Sequence, residues 1–591
     1  MKFLKVFLAA LLAVVVGGVL SSLLWIFIFI GLAGSMESTT VVKPNSVLVV
    51  DLAEDITDAP SANPLGAIDF NTMTVRKQLS LLQVLRSVKA AESDERIKGI
   101  YLRLNGTGAI DIAAIEELRT TLEEFKQSGK FIVSFNEGYS QASYYLASVA
   151  NKIYLQPEGS MSWQGLSSTL IFYTGLFDKL DISVDIFRPT ACKYKSAVEP
   201  YFLKQMSPDN RRQMAALGTS TWEVIVDAVS EARGIDKKTL NTLADKLAVT
   251  MPAEALKHKF VDGLIYEDQM NDVFKEFGVE LDSDGECAKV TLGEYAAQVV
   301  DLQNISADKI AIVYAEGQIL DGEGEQEAIY GQTMAETIKS VRLDDKVKAV
   351  VLRVNSPGGS ALASDVIWRE IELMKAEKPV VISMGSVAAS GGYYISAPGD
   401  VIVANKMTLT GSIGVFGMIM NPNKMLTNKV GLTFDSVSTN SHSTFGSLGH
   451  SIDATERAVI MKSVDKVYER FTGLVSEGRN LPIAKVLDIA AGRVWTGVQA
   501  QENGLVDTIG GLNAAIALAA DKADLETYRV NEVLSTEDPF AAIFSGLGAK
   551  VRASVLRSEM GSDTYVQYNK VKSVVSQNGV MAMMPYEIRF E

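Results

Sequence analysis

The sequence contains the same unit twice, and this duplication constrains the fold more strongly than any other feature. Gly99–Asn105 resembles Ala349–Asn355 at an offset of 250 positions. Further pairs follow at slowly falling offsets: Phe131–Phe135 with Val380–Met384 and Tyr144–Tyr145 with Tyr393–Tyr394 at 249, Val229–Arg233 with Val475–Arg479 at 246, and Val261–Asp262 with Val506–Asp507 at 245. So slow a drift indicates a duplication with only small insertions and deletions.

The matched pairs divide most of the chain into two copies. The first copy spans roughly 46–300 and the second roughly 308–525. Residues 526–591 have no recognisable counterpart in the first copy, so we interpret them as a C-terminal extension. A length of 591 residues agrees with two or more domains, since single domains rarely exceed about 250 residues.

Each copy has the pattern of an α/β fold. Short apolar runs rich in β-branched residues, such as Ile310–Val313, Ala349–Val354 and Val380–Ser383, are typical of buried parallel strands. Between strands, apolar residues recur at helical spacing, and Gly129 stands where a C-terminal cap belongs. In the first copy these apolar residues are Ile112, Ile115, Leu118, Leu122 and Phe125. Alternation of strand and helix predicts a parallel sheet covered by helices on both faces.

The N-terminus carries a long uncharged run that predicts a membrane anchor. No charged residue lies between Lys5 and Glu37. A spanning helix needs about 20 apolar residues, whereas a cleaved signal peptide has an apolar core of roughly 7–15. We therefore predict an uncleaved transmembrane anchor at 6–34. The positive-inside bias of Lys2 and Lys5 puts residues 1–5 in the cytoplasm and the remaining body outside it.

Charge and cysteine content exclude several classes of function. The net charge of −15 argues against a general affinity for nucleic acid. The two cysteines, Cys192 and Cys287, cannot build a disulfide framework or a Cys-rich zinc site. No His/Cys/Asp cluster with ligand spacing stands out. We therefore predict no nucleic-acid partner, no metal and no organic cofactor.

Three glycine-rich segments of the second copy have the character of a catalytic site: Asn355–Gly359, Ala388–Gly392 and Thr410–Gly414. In open α/β folds, catalytic groups gather where strands end and helices begin. Ser390 stands between small residues at such a point, so we predict it to be a nucleophile that a peptide carbonyl can approach. The backbone amide of Gly391 and one from Gly358 or Gly359 are the candidate donors of an oxyanion hole. A plain helix cap is the alternative interpretation of Ser390.

A nucleophilic serine needs a base, and the three histidines of the chain are poor candidates. His258 is flanked by lysines, while His442 and His450 lie in a Ser/Thr/Gly-rich stretch with no obvious carboxylate to orient them. A lysine can act as the base when burial lowers its pKa, because desolvation disfavours the ammonium form. Lys193 and Lys195 are both candidates, and their spacing alone does not choose between them.

Four motifs together resemble the signal peptide peptidase A (protease IV) family in its long, duplicated form. They are Y-K-S-A-V-E-P at 194–200, S-P-G-G at 356–359, A-A-S-G-G-Y-Y at 388–394 and T-G-S-I-G-V-F-G at 410–417. The resemblance covers residues 1–525. It implies two tandem degenerate units related to the Clp protease and crotonase folds, following one N-terminal transmembrane helix.

The resemblance also implies a Ser–Lys dyad. Its nucleophile falls on Ser390, its general base on Lys195 rather than Lys193, and its supporting serine on Ser412. It further implies a homotetramer on the outer face of the bacterial inner membrane, with the catalytic body in the periplasm. There the enzyme would degrade signal peptides left after preprotein processing.

Neither copy holds a complete dyad. The counterparts in the other copy are Gln141 for Ser390, Trp163 for Ser412 and Phe445 for Lys195. The site is therefore expected where a first copy meets a second copy, with the substrate lying across this seam as an extended strand. Met418–Met420 either lines an apolar pocket for a substrate side chain or belongs to the ordinary core.

Two other classes of function remain open at this stage. A crotonase-type coenzyme A enzyme also uses glycine amides as an oxyanion hole, but it would need neither a nucleophilic serine nor a membrane anchor. A non-catalytic membrane scaffold would retain the dyad only as a relic.

Overall fold

The computed structural model describes residues 42–52, 55–60, 78–104, 110–299, 306–324, 328–534 and 580–584, with the isolated positions 17, 68–69 and 74–75. The predicted cytoplasmic N-terminus (1–5) lies outside these residues, as does the predicted anchor (6–34) apart from Gly17. Within the described part of the chain, every helix is too short or too polar to cross a bilayer.

The first copy folds around a sheet of six parallel strands. The strands of the first copy, not all of which belong to this sheet, are β1 (Ser46–Asp51), β2 (Asp55–Thr57), β3 (Ile68–Asp69), β4 (Thr74–Val75), β5 (Gln78–Ser80), β6 (Ile97–Arg103), β7 (Phe131–Tyr139), β8 (Lys152–Met161), β9 (Ser183–Phe187), β10 (Gly263–Leu264) and β11 (Lys289–Thr291). The sheet has the order β10-β8-β7-β6-β1-β11, and each neighbouring pair is parallel. The pairs β2–β5 and β3–β4 are separate, and β9 leaves this unit.

Several helices of the first copy begin at local capping signals. Ser80 and Gln83 form a capping box, and Ser207 caps the longest helix, which ends at Gly234 in the left-handed conformation. The helices are α1 (Leu81–Ser93), α2 (Ile112–Gln127), α3 (Gln141–Ala147), α4 (Thr174–Leu180), α5 (Glu199–Phe202), α6 (Pro208–Arg233), α7 (Lys237–Asp245), α8 (Pro252–Lys257), α9 (Met270–Glu276) and α10 (Leu292–Ala296), with 3-10 turns at Ser196–Val198 and Glu267–Gln269.

The second copy repeats this arrangement with a larger sheet. The strands from residue 308 onward, in the second copy and the C-terminal region, are β12 (Lys309–Glu316), β13 (Ile319–Leu320), β14 (Ile329–Tyr330), β15 (Val347–Ser356), β16 (Gly358–Ser360), β17 (Val380–Ala389), β18 (Val401–Ala404), β19 (Leu409–Gly411), β20 (Phe416–Asn421), β21 (Val494–Thr496), β22 (Thr508–Ile509), β23 (Arg529–Val533) and β24 (Val580–Met583). The sheet runs β21-β19-β17-β15-β12-β23, and β18 and β22 continue it beside β17. Only the β19–β21 pair of this sheet is antiparallel.

Helices cover both faces of the second sheet, as the alternating pattern predicts. They are α11 (Gly331–Leu343), α12 (Ala361–Lys375), α13 (Gly391–Ser396), α14 (Asn423–Met425), α15 (Ala454–Gly478), α16 (Ile483–Ile489), α17 (Gly497–Asn503) and α18 (Leu512–Lys522), with a π-helical turn at Leu426–Val430. On one face Ile310 and Val351 pack against Ile516 of α18. On the other, Val350 packs with Ile367 of α12. The predicted α/β class is confirmed.

One edge strand extends the equivalence of the copies past residue 525. β23 pairs in parallel with β12, as β11 pairs in parallel with β1 in the first copy. Residues Arg529–Val533 therefore have a structural counterpart, although the sequence comparison found none for 526–591. Side-chain identity at this edge has diverged while the backbone pairing has not.

A third sheet joins the two copies. Its order is β14-β13-β16-β24-β20-β9, so it contains a strand of the first copy, strands of the second copy and β24 from the C-terminal region. β9 pairs antiparallel with β20, from Phe187 opposite Gly417 to Ser183 opposite Asn421. This pairing carries the chain that follows β9, and with it Lys195, into the second copy.

Candidate active site

The structure brings the two predicted dyad residues and the predicted supporting serine into direct contact. Lys195 Nζ lies 2.6 Å from Ser390 Oγ, 3.0 Å from Ser412 Oγ and 2.9 Å from the Ser412 carbonyl oxygen. All three residues are fully buried. A neutral amine has two N–H groups and one lone pair, so these contacts match its capacity: two N–H bonds to Ser412 and the lone pair toward the Ser390 hydroxyl.

Ser390 lies in the turn between β17 and α13. Its φ of 58° and ψ of −112° are unusual for a residue other than glycine. Its N–H donates to the Gly411 carbonyl (2.8 Å), and its own carbonyl accepts from Tyr394 N–H (2.8 Å). These bonds hold a strained strand-to-helix turn, the kind of backbone that projects a nucleophile from the end of a strand.

Ser412 lies directly after β19, the strand next to β17. Its φ is 49°, also positive, and its N–H donates to the Arg493 carbonyl at 2.7 Å. Because Ser390 N–H is bonded to Gly411, the two serine-bearing turns are tied to each other through the backbone. This tie fixes the spacing between the two hydroxyl groups that face Lys195.

Lys195 comes from the first copy but is held largely by the second. Tyr194 N–H donates to the Ala491 carbonyl (3.0 Å), and Arg188 Nη1 donates to the Lys195 carbonyl (2.9 Å). Gly492 lies against the Lys195 backbone, since a Cβ built on Gly492 would be 2.6 Å from Lys195 Cβ. Lys195 therefore reaches Ser390 within one chain, across the seam between the copies.

Burial determines the protonation of the lysine. Desolvation lowers the pKa of the Lys195 amine well below its ordinary value of 10.5, and only the charge of a Cys192 thiolate would oppose this shift. Burial in turn raises the pKa of that thiol, which keeps it neutral. Among the described residues no carboxylate is bonded to the amine, so the surroundings of Lys195 favour its neutral form.

Lys193, the other lysine that spacing allowed, does not reach the site. Its side chain is exposed, and its ammonium lies 5.2 Å from the centre of the Tyr194 ring. The turn from Cys192 to Ser196 is not an extended strand, because Lys195 N–H donates back to the Cys192 carbonyl. The two lysines therefore point in different directions.

The three glycines predicted for an oxyanion hole lie together beside Ser390. A Cβ built on Gly358, whose φ is 91°, would lie 2.5 Å from Gly391 N, so only glycine fits there. Gly358 N–H donates to Ser356 Oγ at 3.1 Å. Gly359 is the middle residue of β16 and pairs with Ile319 of β13. The backbone of this turn is thus in close contact with the backbone of Gly391.

The histidines lie in hydrogen-bond networks of their own. His442 Nδ1 lies 3.2 Å from Glu456 Oε1, and His450 Nε2 lies 2.7 Å from Glu456 Oε2. The expectation that no carboxylate orients these two is therefore wrong, since the fold brings Glu456 of α15 to both. His258 ends α8, where its N–H donates to the Glu254 carbonyl.

Sequence spacing also missed a group with metal-ligating atoms. Ligand atoms of His442, Asp453 and Glu456 lie within 4.8 Å of one another. Glu456 is also half of the capping box at the start of α15, where it accepts from Asp453 N–H at 3.0 Å. These contacts give the group a structural role at the helix start.

Two further parts of the site carry no recognisable sequence signal. Gly492 contacts Lys195 although it lies in none of the four motifs, so only the tertiary structure shows that it belongs to the site. The segment Val580–Met584 pairs with β16 next to Gly358. This short apolar run lies more than 200 residues after the S-P-G-G motif, and nothing in the sequence predicts that the two are neighbours.

Comparisons with known proteins agree with the duplication. The family described as Peptidase family S49 matches residues 124–282 and again residues 372–526. The family described as Clp protease matches residues 303–412. The two S49 matches fall on equivalent parts of the two copies, so the chain contains two S49 units with a Clp-protease-like relationship in the second.

Relatives at similar length carry peptidase names. The chain is 35% identical over 542 residues to Protease 4 of Salmonella typhi, covering 89% of this chain and 86% of that protein. It is 36% identical over 462 residues to Protease 4 of Haemophilus influenzae, covering 76% and 74%. It is 32% identical over 522 residues to the chloroplastic serine protease SPPA of Arabidopsis thaliana, covering 86% and 74%. The chain therefore belongs to peptidase family S49 and is a serine peptidase.

Proposed function

We propose that this peptidase is a membrane-bound endopeptidase that degrades cleaved signal peptides with a Ser–Lys dyad. Ser390 is the nucleophile, Lys195 is the general base, and Ser412 positions the amine. The backbone amides of Gly391 and of the Gly358–Gly359 turn stabilise the oxyanion.

The chemistry follows from the positions of these groups. As Ser390 Oγ attacks the substrate carbonyl carbon, its proton passes to Lys195 Nζ, and the carbonyl oxygen becomes an oxyanion stabilised by backbone amides. The C–N bond then breaks, and Lys195 returns the proton to the leaving amine. Water next attacks the acyl-enzyme ester, with Lys195 again taking the proton. Collapse releases the carboxylic acid and restores the Ser390 hydroxyl.

The single observation that carries the proposal is the 2.6 Å contact between a fully buried lysine amine and a fully buried serine hydroxyl. An uncompensated buried ammonium is costly, so a fold rarely retains one without a function. A crotonase-type reaction would use the glycine amides but would have no need for this pair.

The substrate, location and assembly are proposals that rest on the motifs of the sequence. The uncharged run at 6–34 supports a single-pass anchor in the bacterial inner membrane, with the catalytic body in the periplasm. The resemblance supports signal peptides as substrates and a homotetramer as the assembly. Membrane fractionation, protease protection of spheroplasts and sedimentation of the detergent-solubilised enzyme test these points in turn.

The test of the chemistry is digestion of a defined signal peptide by the wild type and by Ser390→Ala. Removal of a nucleophile typically costs several orders of magnitude in rate, so the variant should be almost inactive with an unchanged melting temperature. A fluorophosphonate should label the wild type at Ser390 and leave the variant unlabelled. Variant activity within tenfold of the wild type would exclude Ser390 as the nucleophile. Retention on immobilised coenzyme A, with no labelling, would favour the crotonase-type alternative.

A further inference from the structure

A second group of chemically competent side chains lies outside the dyad, where the segment 422–453, which connects β20 to α15, meets the start of that helix. His442, His450 and Asp453 come from this segment, and Glu456 comes from the first turn of α15. Two of the three histidines of the chain are thus brought to one place. Imidazole nitrogen together with carboxylate oxygen is a common ligand set for transition metals.

The capping box of α15 uses one oxygen of each carboxylate. Asp453 Oδ1 accepts from Glu456 N–H at 2.9 Å, and Glu456 Oε2 accepts from Asp453 N–H at 3.0 Å. Such a box holds both side chains against the first turn of the helix. The second oxygen of each carboxylate is left over for another contact, and the box fixes its direction.

Both of these remaining oxygens face one imidazole nitrogen. His442 Nδ1 lies 3.3 Å from Asp453 Oδ2 and 3.2 Å from Glu456 Oε1. Nδ1 carries at most one hydrogen, so it cannot fully satisfy two carboxylate oxygens. Within the described part of the chain, no lysine or arginine pairs with either carboxylate. The two carboxylates there have only imidazoles as ionic partners, which is a setting that favours a bound cation.

The spacing of the three facing atoms fits a metal ion at their centre. Zn²⁺ binds imidazole nitrogen and carboxylate oxygen at about 2.0–2.2 Å in a tetrahedral arrangement, so two of its ligand atoms are about 3.3–3.6 Å apart. The two distances from His442 Nδ1 are close to this range, and all three ligand atoms lie within 4.8 Å of one another. Small side-chain movements therefore suffice to complete the coordination.

His450 holds the other oxygen of the buried carboxylate. Its Nε2 lies 2.7 Å from Glu456 Oε2, and its Nδ1 lies 3.1 Å from Thr444 Oγ1. Its backbone carbonyl accepts from Asn423 Nδ2 at 2.7 Å, which ties it to the chain just after β20. Ligating carboxylates are commonly oriented by hydrogen bonds of this kind, made by residues that do not touch the metal.

Burial distinguishes this group from an ordinary cluster of surface carboxylates. The side chain of Glu456 is only 3% exposed, whereas those of His442 and Asp453 are 43% and 47% exposed. An ion held by the three would have a fixed, buried ligand on one side and solvent on the other. The open side provides an entry route and room for a water molecule as the fourth ligand.

We propose that His442, Asp453 and Glu456 form a binding site for a divalent transition-metal ion such as Zn²⁺, with His450 as a positioning residue for Glu456. The nitrogen ligand favours such an ion over Mg²⁺ and Ca²⁺, which prefer oxygen ligands alone. The ion takes no part in the Ser–Lys chemistry. Its role is to fix the segment 422–453 to α15.

The proposed metal site is connected to the strand that carries the lysine into the second copy. Arg457, next to Glu456, pairs with Asp185 of β9, and its guanidinium lies 4.9 Å from the centre of the Phe187 ring. β9 pairs in turn with β20, from which the segment 422–453 departs. An ion that fixes this segment to α15 therefore adds a cross-link where the two copies are joined.

The test is calorimetric titration of the full-length, detergent-solubilised protein with Zn²⁺ after treatment with a chelator. We expect one ion per chain, and Co²⁺ in its place should give the visible absorption of a tetrahedral site. His442→Ala should lower the affinity by more than about a hundredfold, and His450→Ala by about 10–100-fold, the usual cost of a lost supporting hydrogen bond. His258→Ala is the matched control, since it removes the half-buried histidine at the end of α8 and should bind like the wild type.

A further variant separates metal binding from helix capping. Asp453→Asn keeps the cap, because asparagine and aspartate are equally good at this position, but it removes an anionic ligand. Without metal it should melt with the wild type. Saturating Zn²⁺ should raise the Tm of the wild type by about 3 °C or more and leave that of the variant unchanged. Zn²⁺ should also slow chymotrypsin cleavage of the wild type after Phe434 and Phe445, which are both exposed in the segment 422–453.

The outcomes decide the proposal without reference to the peptidase reaction. Loss of Zn²⁺ affinity in His442→Ala and Asp453→Asn, with wild-type affinity in His258→Ala, supports the site. Equal affinity in the wild type and His442→Ala overturns it, and so does the absence of binding to the wild type, since the group is then a hydrogen-bond network alone. Tighter binding of Mg²⁺ or Ca²⁺ than of Zn²⁺ overturns the proposed class of ion.

Discussion

Lys195 is the residue whose environment matters most for the proposed chemistry. Its nearest polar partners are two serine hydroxyls and one carbonyl, all uncharged, and the side chain has no exposed surface. Such surroundings favour the neutral amine, the form that can accept a proton from Ser390. Ser412 supplies both acceptors for its N–H groups, so the lone pair is directed toward the Ser390 hydroxyl.

The first prediction concerns the choice of base. Lys195→Ala should lower kcat/KM by at least about a thousandfold, while Lys193→Ala, which removes an exposed lysine two positions away, should retain most activity. In the wild type, kcat/KM should rise with pH as Lys195 loses its proton, with a midpoint well below 10.5. Wild-type turnover in Lys195→Ala, or loss of activity on replacing His258, His442 or His450 singly, would contradict the assignment.

The second prediction concerns stability and pH. Because the pKa of Lys195 is lower in the folded state than in the unfolded chain, unfolding takes up a proton between the folded pKa and 10.5. The free energy of unfolding contributed by this group is therefore lowest below the folded pKa, rises with pH across that window and is constant above 10.5. Lys195→Met lacks the group. Urea unfolding of both proteins at several pH values should show the difference changing in favour of the wild type as pH rises, and a constant difference contradicts the shift.

At the scale of secondary-structure elements, local signals and tertiary contacts contribute separately to the site. The strands Ala349–Val354 and Val380–Ser383 and the helix from Ile112 follow from apolar periodicity, and all are confirmed. The turn that holds Ser390 follows from small residues after a strand. The turn Ala490–Arg493 packs against Lys195. It has no comparable local sequence pattern, because its role is a contact with the other copy.

The third prediction tests that turn. Gly492→Ala would put a Cβ 2.6–2.8 Å from Lys195 backbone and Cβ atoms, so the lysine has to move. A displacement of about 1 Å costs roughly a hundredfold in rate. Gly504→Ala is the matched control: its φ of 85° is as strained as the 77° of Gly492, but its nearest neighbours are side-chain atoms at 3.5 Å or more. Both variants should lose stability through the positive φ, and only Gly492→Ala should lose activity. Equal kcat/KM values would remove Gly492 from the site.

At the scale of the whole molecule, a buried network of charged side chains joins the two copies. Arg353 of β15 lies 2.8 Å from both Asp58 and Glu117 of the first copy. Glu117 also accepts from Asn405 Nδ2 (2.9 Å) and Leu512 N–H (2.7 Å). First-copy carboxylates thus satisfy second-copy donors, and these buried contacts join the two copies.

The fourth prediction follows from the duplication. Arg353→Met leaves two buried carboxylates without their cation, and breaking such a pair typically costs about 3–5 kcal/mol. Arg103→Met changes the equivalent residue of the first copy, which is 39% exposed and pairs loosely with Asp51 and Glu267. Its cost should be about 0–1 kcal/mol. Urea denaturation measures both, and equal losses would show that the network does not join the copies.

The sequence by itself determined the duplication, which is visible as matching residues at slowly falling offsets. It also determined the α/β class and the segments that hold Ser390, Ser412 and the glycine turn, because apolar periodicity and backbone-permissive residues act over a few positions. Only the tertiary structure decided that Lys195 rather than Lys193 faces Ser390, that Gly492 makes room for it and that Val580–Met583 pairs with β16. These facts depend on contacts between chain segments about 200 to 300 residues apart. Such contacts arise from how the two copies pack against each other. Packing of this kind produces no residue spacing in the sequence that would predict it.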